Sequence, residues 1–150
     1  MNRKDYVIGF MFSEDGGQVV LIEKEKPDWQ KGKLNAPGGK IEPEETPVEA
    51  MVREFKEETG YQTTTSDWAH FARMEGNNDG GEGQFFVECF AITGDVQQVS
   101  TQEEEKIWVM STSDITRLGH KMIENLPWLM HMAIDHLNDG RPSFAIITYP

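Results

Sequence analysis

"LNAPGGKIEPEETPVEAMVREFKEETGY", residues 34–61, decides how the rest of the chain is read: it opens on a glycine pair and closes on glutamates at 54, 57 and 58 that must repel one another on a helix. Thr46 followed three residues later by Glu49 is a capping box, Pro47 suits the first helical position and Gly60 suits a C-terminal cap, so the spacing predicts a helix over 46–59. With about 100° of rotation per residue, Val48, Met51, Val52 and Phe55 share one apolar stripe, and Glu54, Glu57 and Glu58 gather on the strip beside it. One face is built to pack; the next is a cluster of carboxylates.

A run of Glu, Lys and Arg is most often a solvated helix surface. Here Arg53 and Glu57 sit four apart and can pair, but Glu54 and Glu58 also sit four apart and repel by roughly a few tenths of a kcal/mol, with no basic side chain between them on that strip. A bound divalent cation would neutralise them, and the preceding "PGG" lets backbone approach the same cation closely.

Outward from this segment, the 150 residues predict one domain, and 37% hydrophobic residues with four Trp and eight Phe supply the apolar surface a disordered chain would lack. The net charge of −12 argues against a nucleic-acid polymer or an anionic membrane as partner, since both would be repelled. It suits either simple solubility or a site for hard cations, to which a polyphosphate could bind as its metal complex. Cys89 is alone and cannot form an internal disulfide, and "MNRKDYVIGF" lacks the apolar run of a signal peptide, so a cytoplasmic address is expected.

"YVIGFMF" and "QVVLIE" read as strands joined by the turn "SEDGG", and "KEKPDWQKGK" as a polar loop. "WAHFARM" and "QFFVECFAI" read as strands flanking the glycine-rich loop "EGNNDGGEG", and "KIWVM" as a further short strand. A second helix is expected from about Pro127 within "MIENLPWLMHMAIDHL", followed by a strand in "SFAIITY". Strands on both sides of a few helices predict an α/β layered fold. The histidines at 70, 120, 131 and 136 lack zinc-ligand spacing and read as structural, and Cys89 as a buried strand residue.

From Gly39, five residues lead to Glu45, seven more to Arg53, and "REFKEETGY" completes a pattern that resembles the Nudix box, the signature of the Nudix hydrolase family, over Gly39 to Tyr61. The resemblance implies a Nudix fold, an α/β/α sandwich with a mixed β-sheet, and hydrolysis of a nucleoside diphosphate linked to another moiety. It implies that Glu54, Glu57 and Glu58 bind Mg²⁺ or Mn²⁺, that the Gly38 carbonyl adds a backbone ligand, and that Arg53 orients the glutamates. Glu45 matches a family glutamate of less uniform role, or simply favours the helix dipole. Phosphoanhydride cleavage needs an activated water, neutralised phosphate charge and a proton acceptor, which in this family is a box glutamate or one on a later loop. "TQEEEKIW" offers Glu103, Glu104 and Glu105, equally readable as solvated loop charge.

"KPDWQKGKLNAPGGKIEPEET" and "MIENLPWLMHMAIDHLNDGRPSFAI" are similar to stretches of the oxidised-purine nucleoside triphosphatases, a Nudix subgroup. This places Trp29, Asn35, the pair Glu124 and Asn125, and Trp128 around a base, with Glu103 matching the subgroup's late-loop glutamate. Trp29 reads equally as a surface loop aromatic and Trp128 as ordinary core. The chain departs from the subgroup at Asn125, where a second acid is expected, at Met122 and at Pro37. Three functions stay open: a nucleoside triphosphate pyrophosphohydrolase, a hydrolase of ADP-ribose, dinucleotides or other diphosphate-linked substrates, and a non-catalytic nucleotide-binding module, as monomer or homodimer. The complete glutamate set argues against the last.

Overall fold

The computed structural model describes residues 2–77, 83–115, 117–118, 121–139 and 144–150. Along the chain lie β1 (Asn2–Phe12), β2 (Gln18–Glu23), β3 (Leu34–Asn35), β4 (Gly38–Lys40), α1 (Pro47–Thr59), β5 (Ala69–Asn77), β6 (Gly83–Thr93), β7 (Ile107–Ser111), α2 (Leu126–Asp139) and β8 (Ala145–Thr148). The described strands form one sheet ordered β3-β2-β1-β6-β5-β8, with β4 paired to β1 and β7 to β2. It is mixed: β1 runs parallel to β6 from Asn2↔Gly83 to Phe12↔Thr93 and β5 runs parallel to β8, while the other pairs are antiparallel.

Alternation along β1 builds two cores. Val7 and Met11 face the side covered by α1, where they join Ala50, Met51, Phe55, Trp68 and Phe90. Phe10 and Phe12 face the other side and join Leu126, Leu129, Met130 and Ala133 of α2. A strand buried on both faces reads as a continuous apolar run, which is why "VIGFMF" shows no alternation. One helix on each face of a mixed sheet is the α/β/α arrangement expected from the sequence. Among the described residues, no helix is long and apolar enough to cross a membrane.

The turn between β1 and β2 follows its composition. Asp15 Oδ1 accepts from the Ser13 hydroxyl at 2.7 Å and the Gly17 N–H at 2.9 Å, and Gly16 supplies the left-handed φ of 73°. Two elements escaped the sequence reading. β3 and β4 have two and three residues, too few for a period, and exist only because β2 and β1 offer partners. The centre of the expected glycine-rich loop, residues 78–82, His120 and Ser143 lie outside the described residues.

Cys89 is fully buried and its apolar surroundings push the thiol pKa up, as befits a structural strand residue. His70 stacks on Phe90 at 4.6 Å and meets Glu88 at 2.6 Å, while His131 is exposed and His136 lies beside Phe71.

Candidate active site

The rotation of α1 is fixed at both ends and along its buried face. Thr46 accepts from the Glu49 N–H and Glu49 accepts from the Thr46 N–H, each at 3.3 Å, which completes the capping box. Gly60 closes the helix in the left-handed conformation, its N–H bonded to Lys56 O at 2.8 Å. With Ala50, Met51 and Phe55 buried against the sheet, the adjacent strip carrying Glu54 and Glu58 turns toward β4. A Cβ on Gly39 would stand 2.5 Å from the Glu54 carboxylate, so that carboxylate occupies the space a side chain would take.

Arg53 ties the acids together. Its fork holds Glu45 through two bonds, Nε at 2.8 Å and Nη2 at 2.9 Å, and Nη2 also reaches Lys40 O at 3.0 Å. Nη1 donates to Glu54 at 2.9 Å and to Glu57 at 3.4 Å. The hydrogen bonds from Arg53 hold the Glu45 carboxyl below its usual range, and the same bonds raise the guanidinium pKa. Glu45 therefore anchors the arginine that organises the helix acids. Arg53→Ala is expected to lower turnover by roughly 10–100-fold through misplaced glutamates. Arg53→Lys should stay close to the alanine variant, because a single ammonium cannot reproduce the fork. Steady-state kinetics of both variants check this, and full recovery by lysine would contradict it.

Glu58 is the most perturbed acid of the cluster. It is only 7% exposed, and its Oε2 has no hydrogen-bond partner. Burial, followed by repulsion from Glu54, pushes its pKa up to about 8; Glu105 adds to the rise, while Lys24 and the backbone amide of Gly38 oppose it. Burial likewise raises the Glu54 carboxyl against the bonds from Arg53, and Glu57 and Glu103 raise it further. Gly38, Glu54 and Glu58 are thus neighbours, and Glu57 reaches them through Arg53 with its side chain about half exposed.

Among the described residues, no three His, Cys, Asp or Glu side chains already form a ready-made ion cage. Arg53 takes up oxygens of Glu54 and Glu57 instead. The donor set nevertheless fits a hard divalent cation: two mutually repelling carboxylates, one of them with a buried oxygen lacking any partner, are all-oxygen ligands that a cation would satisfy.

The loop before β7 brings more acid to the same place. Glu103 is exposed yet close enough to raise the Glu54 pKa. Glu105 accepts from Lys24 Nζ at 3.2 Å and from the Glu25 backbone N–H. The involvement of Lys24 and Glu105 has no local sequence signal, since 81 positions separate them. Glu104 is exposed.

Beside the cluster opens a cavity of about 600 Å³ whose walls include Lys24, Trp29, Asn35, Gly38, Asn125 and Tyr149. Trp29 stands at 64% exposure on the short helical turn Asp28–Gln30, and Asn35 sits on β3 with its Oδ1 accepting from the Ala36 N–H at 2.8 Å. Segment 122–125 runs alongside β3: Met122 bridges Leu34, and the Ile123 N–H bonds Leu34 O at 3.0 Å. Ile123 and Asn125 line the cavity, and Glu124 is exposed outside its lining. Trp128 is 39% exposed and also outside the lining, because α2 buries Leu126, Leu129, Met130 and Ala133 along the opposite stripe. The structure therefore gathers Trp29, Asn35 and Asn125 around one space, and does not bring Glu124 or Trp128 to it.

A family model described as NUDIX domain matches residues 2–129. The CTP pyrophosphohydrolase of Escherichia coli is 34% identical over 55 residues, 37% of this chain and 41% of that protein. The 8-oxo-dGTP diphosphatase of Escherichia coli is 32% identical over 75 residues, 50% of this chain and 56% of that protein. The matched stretches thus span about half the length of these relatives. Among solved structures, the NUDIX domain of Shewanella oneidensis NrtR complexed with ADP ribose superposes with a TM-score of 0.76 at 16% identity, covering 92% of this chain and 90% of that one, a likeness of fold.

Proposed function

Because the chain belongs to the NUDIX family, we propose that it hydrolyses nucleoside triphosphates to nucleoside monophosphate and pyrophosphate, with Mg²⁺ or Mn²⁺ held by Glu54, Glu57, Glu58 and the backbone of Gly38. The observation that carries this reading is the partnerless buried oxygen of Glu58, placed beside Glu54 at the edge of a cavity lined by Gly38 and Gly39. The names of the two Escherichia coli relatives, one acting on CTP and one on 8-oxo-dGTP, support a nucleoside triphosphate as substrate.

When bound, the cation neutralises charge on phosphate oxygens and lowers the pKa of the attacking water. The chain does the rest. Glu58, which holds a proton near neutral pH without a cation, gives it up when it becomes a ligand. Arg53 keeps Glu54 and Glu57 oriented. Lys4, Lys24 and Lys40 line the cavity and attract the polyphosphate to a chain whose net charge is −12. Trp29 offers an aromatic face to a base at the rim, and Glu103 accepts the proton of the attacking water from its loop beside Glu54.

In labelled water with Mg²⁺, the products of a nucleoside triphosphate are expected to be the monophosphate and pyrophosphate, with the label in one of them only, as phosphorus NMR or mass spectrometry would show. Orthophosphate as the first product would remove the enzyme from this class.

A further inference from the structure

The acidic loop before β7 is fastened at both ends, and Glu103 lies between the fastenings. On the side of α1, the Ser100 N–H bonds Thr59 O at 3.0 Å and Gln102 Nε2 donates to Ser100 Oγ at 2.8 Å. Gln102 also covers the helix cap, where a Cβ on Gly60 would stand 2.9 Å from its Nε2. On the side of β2, the Glu23 N–H bonds Lys106 O at 2.8 Å, just beyond the pairing of Ile22 with Ile107. The Ile107 N–H turns back to Thr101 Oγ1 at 2.9 Å and closes the loop across its own base.

Glu105 adds a contact that the strand ladder does not supply. Thr101 to Glu104 and Lys106 are exposed, whereas Glu105 is half-buried. Its two carboxylate oxygens take different donors: Oε1 accepts from Lys24 Nζ at 3.2 Å, and Oε2 accepts from the Glu25 N–H. The corner it grips is itself closed, because the Lys24 N–H bonds Lys33 O at 2.9 Å and the Gly32 N–H bonds Lys24 O at 2.8 Å. Glu103 is exposed, so its place is set by the backbone of the loop rather than by packing of its own side chain. It stands one residue from Gln102 and two from Glu105, between an anchor on α1 and an anchor on the end of β2.

We propose that Glu105 is a positioning residue: by clipping the loop to the Lys24–Glu25 corner, it holds Glu103 where Glu103 takes the proton of the attacking water. The catalytic half of this inference rests on the assignment of Glu103 as proton acceptor above; the clip rests on the two bonds of Glu105. Without it the ends of the loop stay tied and the span between them is free to shift, and a displacement of about 1 Å at a reacting group can cost about a hundred-fold in rate. Lys24 lines the cavity, so a clip that served Lys24 instead would show in KM, whereas one that serves Glu103 shows in kcat.

With dGTP and CTP as probes and Mg²⁺ present, Glu105→Ala is expected to lower kcat by about ten-fold or more and to leave KM within about two-fold. Glu105→Gln, which keeps an acceptor for the Glu25 N–H, should recover most of the loss. In Glu103→Gln, adding Glu105→Ala should change kcat by less than about two-fold, since a clip has nothing to act on once its target is neutral. In the ligand-free protein, amide exchange followed by NMR should be about ten-fold or more faster at Glu25 and Ile107 in Glu105→Ala, with the thermal midpoint close to wild type. Losses that add in the double variant, a loss confined to KM, no recovery by glutamine, or unchanged exchange at Glu25 would each overturn the proposal. Glu103→Gln turning over like wild type would remove its catalytic half. If wild type cleaves neither probe, the nucleotide reading fails instead, and the exchange at Glu25 still decides whether the clip exists.

Discussion

Glu58→Gln is expected to lower kcat by about a hundred-fold or more while the protein stays folded. Gln has the shape of Glu but no charge, so the variant keeps the packing of α1 and loses the ligand strength of its most buried carboxylate. Loss of a cation ligand removes on the order of several kcal/mol of charge stabilisation, and each 1.36 kcal/mol is about ten-fold in rate. The same substitution has an opposite effect on stability without a cation. The folded protein holds the Glu58 proton up to about pH 8, whereas an ordinary Glu loses it near 4.5. Between these values the folded state binds one proton more than the unfolded state, so stability is full below about 4.5, falls as pH rises, and levels off above about 8. Thermal unfolding in chelator should show this decline in wild type and a flatter profile in Glu58→Gln. Added Mg²⁺ should restore wild type at pH 8 and leave the variant less affected. Turnover within about two-fold of wild type would show that Glu58 is no ligand. Glu57→Gln is the useful comparison: its side chain is half exposed, so its loss should cost turnover while the fold is kept.

What the sequence disclosed about this centre was local. The limits of α1, its caps and the strip shared by Glu54 and Glu58 all depend on residues within one turn of each other, where spacing determines geometry. The central strands were legible because apolar runs as long as those of β1 and β6 have few alternatives to a buried strand. β3 and β4 were not, since strands of two and three residues carry no period and are defined by partners.

The far side of the site depends on contacts that no window of sequence contains. Lys24 meets Glu105 across 81 positions, and Tyr149 and Met74 reach Asn125 across 24 and 51. Glu124 and Trp128 show the reverse case. Ile123 and Asn125 on either side of Glu124 line the cavity while Glu124 itself is exposed outside it, and the helical phase of α2 leaves Trp128 partly exposed, both of which tertiary packing decides. The charge of the acids was equally hidden: Glu54 and Glu58 sit four apart in any such helix, but the rise of the Glu58 pKa to about 8 comes first from burial against β4, which the spacing does not reveal.

The glycine pair that opens the quoted segment is expected to separate fold from function when each member is replaced by alanine. Neither glycine has a positive φ, so the requirement at both is space rather than backbone freedom. At Gly38 a Cβ would stand 1.9 Å from Val7 O and 2.9 Å from Ile8 Cα, atoms of the central strand that cannot swing aside. The pairing of β4 with β1 would have to open, beginning where Gly38 lies opposite Ile8. Gly38→Ala is therefore expected to cost about 3 kcal/mol or more of stability, read as a large fall in the unfolding midpoint. At Gly39 the three atoms nearest the Cβ all belong to the Glu54 carboxylate, the far end of a flexible side chain, which can rotate away. Gly39→Ala should cost less than about 1 kcal/mol of stability but pull Glu54 off its bond to Arg53 and out of the cation site, lowering Mg²⁺ affinity and turnover by roughly ten-fold or more. Denaturant unfolding, an Mg²⁺ titration and kcat measured on both variants decide the matter. Gly38→Ala unfolding like wild type would deny β4 its place against β1, and Gly39→Ala turning over like wild type would show that the position of Glu54 does not matter to the reaction.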